Sequence, residues 1–423
     1  MPITETSAAA LDLNYVRSQF PSLAQTVNGH PAAFLDGPGG TQVPQRVIDA
    51  ISAYLSHDNA NTSGAYSTSR HTDAMLARAR GAMADFLHCG PDEVVFGPNM
   101  TSLTFAISRA IGRELGPGDE IVVTRLDHDA NVSPWITMAE DRGLTVRWAE
   151  IHDEDCTLDL ADLSSKINEH TKLVAVGYAS NAVGTINPVK EITRLAHAAG
   201  ALSYIDAVHY GPHGLIDVAA IDCDFLACST YKFFGPHMGV LFGKRAHLQR
   251  YRPYKVRPNT NTIPNCWEWG TLNHECIAGI EAAVEYIADL GRRGRADVKT
   301  RRAAIGNAYA AIHEHERALL EQMMSGLKAI PGLRIYGITD PERHNERCGT
   351  FAVRVEGHTP LELATKLGER GLFTWDGNYY ALNLTEHLDV EKSGGFLRIG
   401  LVHYNTIEEV DRLLITLREI VGA

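Results

Sequence analysis

Between residues 70 and 245, short apolar runs alternate with stretches whose apolar residues recur at helical spacing. DEVVF (92–96), DEIVVT (119–124), LTVRWAEI (144–151), KLVAVGY (172–178), ALSYID (201–206) and DFLACS (224–229) are strand-length and β-branched or apolar. Helical patterns lie between them, over 73–88, from Leu103 onward, and most clearly in PVKEITRLAHAAG (188–200). Near-continuous apolar strands separated by helices predict an α/β fold with a mainly parallel sheet covered on both faces. Ligands of such sheets sit beyond the carboxyl ends of the strands.

The pattern changes after residue 251. Residues 252–272 are rich in Pro, Asn and Thr and read as a long functional loop. Two long helical patterns follow, 273–290 and 299–328. After PGLRIYG (331–337) a smaller α+β unit begins, with strands TFAVRV (350–355) and GFLRIGL (395–401) and helices at 359–371 and 406–421. The expected division is an N-terminal segment 1–30, a large domain 31–290, and a small C-terminal domain 291–423 that takes in the N-terminal segment.

Composition narrows the function classes. With 423 residues, 44% of them hydrophobic, the chain has ample material for a large core. A formal net charge of -12 and no basic block interleaved with aromatics argue against a nucleic-acid partner. The seven cysteines are scattered and form no CxxC pair, so neither a metal site nor a disulfide framework is expected. The first twenty residues lack the pattern of a signal peptide, and no apolar stretch reaches membrane-spanning length. A cytoplasmic protein without a membrane partner is expected.

The most unusual chemistry lies in FLACSTYKFFGPHMGVLFGK (225–244), where Lys232 sits among aromatics between two apolar runs. A buried lysine is costly unless it is paired or its pKa falls, and such a lysine is suited to forming a Schiff base. Asp206 ends the preceding strand, where a carboxylate needs a cationic or donor partner. Asp followed by Lys in this order points to pyridoxal phosphate, with Lys232 carrying the cofactor and Asp206 keeping its pyridine nitrogen protonated. An anion site would come from GPNMTS (97–102), through the backbone of Met100 and Thr101 at a helix start, with the Ser229 hydroxyl nearby. His128, after the strand 119–124, would stack on the ring and move protons.

Seven motifs in order resemble the class V aminotransferase family: FLDGPGG (34–40), DHDANVSPW (127–135), YASNAVGTINP (178–188), DAVH (206–209), STYKFFGP (229–236), EWGT (268–271) and LRIG (397–400). Within that family they are most similar to the cysteine desulfurase and selenocysteine lyase group. The resemblance implies PLP fold type I, a large cofactor-binding domain with a smaller α+β domain, and a homodimer with shared active sites acting on a small amino acid. It matches Lys232 to the Schiff-base lysine, Asp206 to the pyridinium partner and His128 to the ring-stacking histidine. Asn181 matches the asparagine near the cofactor phenolate and substrate, and His209 takes the place of a glutamine that reaches the same oxygen. Tyr231 stands where a phosphate-binding histidine is usual. Thr271 matches a threonine that reaches the neighbouring subunit's phosphate, and Arg398 the arginine that clamps the substrate carboxylate.

The chain departs from the group at one place. Cysteine desulfurases carry a nucleophilic Cys on a loop before that arginine, whereas WDGNYYALNLTEHL (375–388) has none, and Tyr380 stands near its position. Cys348 falls at the wrong spacing, and Cys266 lies on the long loop before EWGT. The expected activity is therefore a desulfurase-like carbon–sulfur lyase working by β-elimination. Aminotransfer and epimerisation of the isopenicillin-N-epimerase kind, persulfide-forming desulfuration, and a non-catalytic binding role for the fold are the alternatives.

Overall fold

A computed structural model describes residues 11–295 and 297–422; the first ten residues of the predicted N-terminal segment lie outside them. The strands of the main sheet are β1 (Val94–Gly97), β2 (Glu120–Thr124), β3 (Thr145–Ala149), β4 (Thr171–Gly177), β5 (Leu202–Asp206), β6 (Phe225–Ser229) and β7 (Gly239–Gly243). Their spatial order is β3–β2–β4–β5–β6–β7–β1. All run parallel except β7, which is antiparallel to both β6 and β1. The strands β1, β2, β6 and β7 are buried throughout, as their unbroken apolar runs predict. At the sheet edge, β3 alternates between exposed and half-buried positions before closing on buried Ala149, because only one neighbour covers it.

Helices α1 (Met100–Gly112), α2 (Ser133–Arg142) and α3 (Val189–Ala198) follow β1, β2 and β4. The start of α1 is capped by the Asn99 side chain, which accepts from the Ser102 N–H at 2.8 Å. That turn packs hard against β7. A Cβ on Gly239 would lie 2.3 Å from the Asn99 carbonyl carbon, so the close approach requires glycine.

Beyond the loop at 252–272, α4 (His274–Arg292) and α5 (Arg301–Lys328) lie near the predicted positions. The second sheet has order β8–β9–β11–β10, all antiparallel, from β8 (Leu333–Tyr336), β9 (Thr350–Val355), β10 (Trp375–Gly377) and β11 (Phe396–Gly400). Helices α6 (Pro360–Gly368), α7 (Leu382–His387) and α8 (Ile407–Val421) complete it. The segment 375–388 is therefore not all loop. It opens on β10, and its ladder with β11 pairs Trp375 with Arg398. Its alternation was too short to read as a strand. Ala33 and Phe34 pair with Leu372 and Phe373, and Ala33 and Leu35 share a hydrophobic cluster with Leu319, Phe351 and Leu397. No helix among the described residues is long and apolar enough to cross a membrane.

Candidate active site

The parallel strands deliver their carboxyl ends to one edge of the main sheet. Asp206 closes β5, Ser229 closes β6, and a single 3-10 turn, Thr230–Lys232, carries the lysine just beyond β6. A cavity there is lined by Met100, Thr101, His128, Asn181, Asp206, His209, Ser229, Tyr231 and Lys232, with Pro38 opposite. Nine of the ten residues singled out from the sequence as catalytic or cofactor-binding thus meet at one place. The tenth, Thr271, is exposed and lines a separate cavity with Pro98, Ser102 and His237.

Lys232 is buried, and its Nζ donates to the Pro38 carbonyl. Burial and the nearby Arg398 guanidinium lower its pKa to about 7, against the opposing pull of Asp206 and Asp36. Its Nζ also lies 4.8 Å from the Tyr231 ring centre. Burial raises Asp206 to about 6, while the Val208 N–H at 2.9 Å and Lys232 favour its ionised form. The Ser229 hydroxyl accepts from the Met100 N–H at 3.3 Å, tying the end of β6 to the first turn of α1.

His128 is held as a neutral ring. Its Nδ1 accepts from the Ala130 N–H at 3.0 Å, which leaves the proton on Nε2. Burial, with Lys232 and Arg398 close by, lowers its pKa to about 3. Asp127 supports the turn by accepting from Gly177 N–H and Asn131 Nδ2, both at 2.8 Å. Burial raises that carboxyl to about 7. His209 is buried, its Nε2 lies 3.0 Å from the Thr350 hydroxyl, and burial lowers its pKa well below the ordinary value.

The second sheet brings up Arg398 from β11. It is buried, its Nη1 donates to the Asn181 carbonyl at 3.0 Å, and its guanidinium carbon stands 4.1 Å from the Tyr379 ring centre. Burial lowers its pKa to about 10, which leaves it charged. Arg398 Nε, Asn181 Oδ1 and Asp36 Oδ1 are all buried without a partner among the described residues. A buried polar group left unpaired costs about 1–3 kcal/mol; Asn181 lines the cavity, and Arg398 bonds to it from behind, so a polar ligand beside Asn181 would relieve that cost.

Asp36 and Tyr379 escaped the sequence reading. Asp36 lies in FLDGPGG, and burial raises it to about 6 against Arg398 and Lys232. Tyr379 packs on Arg398, and its backbone carbonyl accepts from Asn181 Nδ2 at 2.9 Å. Nothing in its neighbourhood along the chain marks either role. Tyr379 and Tyr380 both take positive φ, 56° and 60°, a region bulky side chains rarely adopt. This turn carries Tyr380, 72% exposed, onto His128, where the rings stack with centroids 5.4 Å apart. The Tyr380 carbonyl also accepts from the Asp129 N–H at 2.6 Å.

None of the cysteines has the character of an activated thiol. All seven are free, and burial raises every one above the ordinary thiol pKa. Cys266 lies buried in the 3-10 turn Asn265–Trp267, and Cys348 is buried just before β9.

Comparisons with known proteins agree with this architecture. The family model for Aminotransferase class-V matches residues 33–413. A cysteine desulfurase of Serratia proteamaculans is 33% identical over 421 residues, covering 96% of this chain and 97% of the relative. One from Yersinia pestis is 31% identical over 422 residues, covering 96% and 97%. The apo structure of a cysteine desulfurase from Thermococcus onnurineus superposes with a TM-score of 0.86 at 25% identity, covering 98% of this chain and 99% of that one. The fold is PLP fold type I, and the chain belongs to the class V aminotransferase family of pyridoxal phosphate-dependent enzymes.

Proposed function

We propose that this enzyme is a desulfurase-like carbon–sulfur lyase that acts on cysteine, cystine or an S-conjugate by β-elimination. The observation that carries the proposal is Tyr380. It occupies the segment where the related desulfurases would present a cysteine, and it stacks on His128, while every thiol of the chain is held in its unreactive form.

The cavity's own groups fit the cofactor. Lys232 would hold it through Nζ, and Asp206 would keep a proton at its pyridine nitrogen. The N-terminal turn of α1 at Met100 and Thr101, with Ser229 and Tyr231, would take the phosphate. His128 offers a neutral ring for stacking, and Asn181 and His209 offer polar groups toward the phenolate side. The unpartnered Asn181 Oδ1 and Arg398 Nε are the polar atoms such a ligand set would satisfy. Pyridoxal phosphate, when bound, supplies a ring that takes up negative charge from the substrate Cα.

The remaining chemistry belongs to the chain. Arg398 binds the substrate α-carboxylate with the guanidinium edge not used on Asn181. Lys232, neutral in part at pH 7 because its pKa is about 7, takes the Cα proton. The Cβ–S bond then breaks, the sulfur leaves as a thiolate and takes a proton, and the released enamine hydrolyses to pyruvate and ammonia. No enzyme thiol enters these steps.

The proposal includes a homodimer with shared sites. Thr271 lies outside the Lys232 cavity of its own chain, on an exposed loop, as a residue serving a neighbouring subunit would. It also includes the division into a large domain 31–290 and a small domain 291–423 joined by the N-terminal segment, supported by Arg17, which pairs with Glu409 at 2.9 Å and donates to the Tyr404 carbonyl at 2.7 Å. A cytoplasmic location is proposed from the seven free cysteines.

The deciding experiment incubates the holoenzyme with cysteine, cystine, S-alkyl cysteines and non-sulfur amino acids. Pyruvate with stoichiometric ammonia, confined to substrates with sulfur on Cβ, is expected. A different α-keto acid without ammonia release would replace the lyase by an aminotransferase, and an inverted enantiomer by an epimerase.

A further inference from the structure

A large groove of about 1030 Å3 opens between α3, α5 and the segment preceding β9. At its floor lie His213 and Cys348. His213 contacts His209, with ring centroids 5.2 Å apart, and His209 lines the Lys232 cavity. The two histidines are four residues apart on the turns that follow β5, in DAVHYGPH (206–213). One donor atom from each of His209, His213 and Cys348 lies within 4.8 Å of the other two, and all three residues are buried.

The hydrogen bonding around His213 is that of a metal ligand. Its Nδ1 lies 2.7 Å from Glu316 Oε2, and Glu316 is itself buried on α5. A proton on Nδ1, donated to the carboxylate, leaves Nε2 with a lone pair. That Nε2 is buried and has no partner among the described residues, so the Cys348 thiol does not donate to it. A histidine oriented by a carboxylate, its other nitrogen free, is the usual arrangement behind a bound metal. Two imidazoles and a thiol are the donor set of zinc, bound at about 2.0–2.1 Å to nitrogen and about 2.3 Å to sulfur. Tetrahedral donors then stand about 3.3–3.8 Å apart, so the side chains close by about 1 Å on binding.

We propose that His209, His213 and Cys348 bind one zinc ion, with Glu316 orienting His213 and a water from the groove in the fourth position. The ion displaces the Cys348 proton to solvent and satisfies the orphaned Nε2. It replaces the sequence-based expectation that the chain has no metal site, and it turns His209, whose Nε2 lies 3.0 Å from the Thr350 hydroxyl, from the cofactor's phenolate side to the metal, leaving Asn181 to that side.

The test is metal analysis of the purified holoenzyme, followed by chelation and titration with zinc or cobalt(II). The expected result is one zinc per chain, and for the cobalt form a difference spectrum with a thiolate-to-cobalt charge-transfer band. Cys348→Ser removes that band, and His213→Gln removes stoichiometric binding. Glu316→Gln weakens zinc about 10–100-fold without removing the band. Circular dichroism establishes that each variant is folded. If Cys348→Ser does not fold, the native cobalt spectrum and the Glu316→Gln affinity decide. Native protein that binds no zinc, that binds cobalt without a thiolate band, or whose affinity is unmoved by Glu316→Gln overturns the proposal.

Discussion

Two regions that meet at the Lys232 cavity are built differently. On one side Asp206 and Ser229 end β5 and β6, both flanked by neighbours in the main sheet, and Lys232 follows on a buried 3-10 turn just beyond β6. On the other, Tyr379 and Tyr380 sit on a two-residue left-handed turn between a three-residue strand and a short helix, held by Asn181, Asp129 and Arg398. Backbone conformations of that kind cost about 1–3 kcal/mol each and persist only where their surroundings enforce them. In the function proposed above, the rigid region carries the cofactor chemistry. In the lyase proposed above, the strained region presents the aromatic ring of Tyr380, rather than a thiol, to His128. Changing the strand-end residues should therefore abolish turnover, and changing the turn should redirect it.

The largest effect is expected at Lys232. On the proposed function Lys232→Ala would remove both the cofactor tether and the base, so turnover should fall by at least about 10²–10⁴-fold, with loss of the borohydride-reducible cofactor adduct. A reducible adduct persisting on another lysine would move the tether elsewhere. In the native apoprotein, cofactor capture should quicken as pH rises through about 7, because only the neutral amine reacts and burial lowers its pKa to that value. Stopped-flow absorbance measures this, and a rate flat from pH 6 to 8 would contradict it.

Next comes Asp206→Asn, which keeps the shape but loses the charge that the proposed function places toward the ring. A loss of about 10²–10³-fold in kcat is expected, comparable to removing one preorganised electrostatic group. Near-native turnover would show that the ring nitrogen needs no anionic partner here. Arg398→Ala should act mainly on KM. Losing charge-assisted hydrogen bonds worth about 1.5–3 kcal/mol raises KM about 10–150-fold for amino acids. An equal penalty on an amine lacking the carboxylate would argue for a merely structural arginine.

The smallest effect, and the one that sharpens the comparison most, is at Tyr380. Its stacking on His128 is worth about 0.5–1.5 kcal/mol, so Tyr380→Ala should change kcat/KM by about 2–12-fold. Its ranking of substrates by Cβ substituent should change as well. A uniform loss across all substrates would mean that the turn only braces Arg398 and Asn181.

The strand-end wall was legible in the sequence because its residues contradict their surroundings. Lys232 among aromatics, and Asp206 at the end of an apolar run, are costly placements that local chemistry alone flags. The reversed strand β7 reads along the chain only as an apolar run; it is antiparallel to its chain neighbour β6 and to β1, and the second pairing, more than 140 residues away, leaves no mark in the local sequence. Asp36 and Tyr379 look ordinary along the chain, and their importance arises from contacts with Lys232, Arg398 and Asn181 made across the two sheets. The same holds for His213, whose partner Glu316 is 103 positions away.

The most direct test of thiol-free chemistry follows the carbon and the sulfur of L-cysteine through a single turnover of the holoenzyme. The substrate becomes pyruvate with one sulfide and one ammonia released, all seven cysteines remain unmodified by mass spectrometry, and Cys266→Ser leaves the rate unchanged. Alanine as the product, with a persulfide on a cysteine of the chain, would contradict the account and return the enzyme to nucleophilic desulfuration.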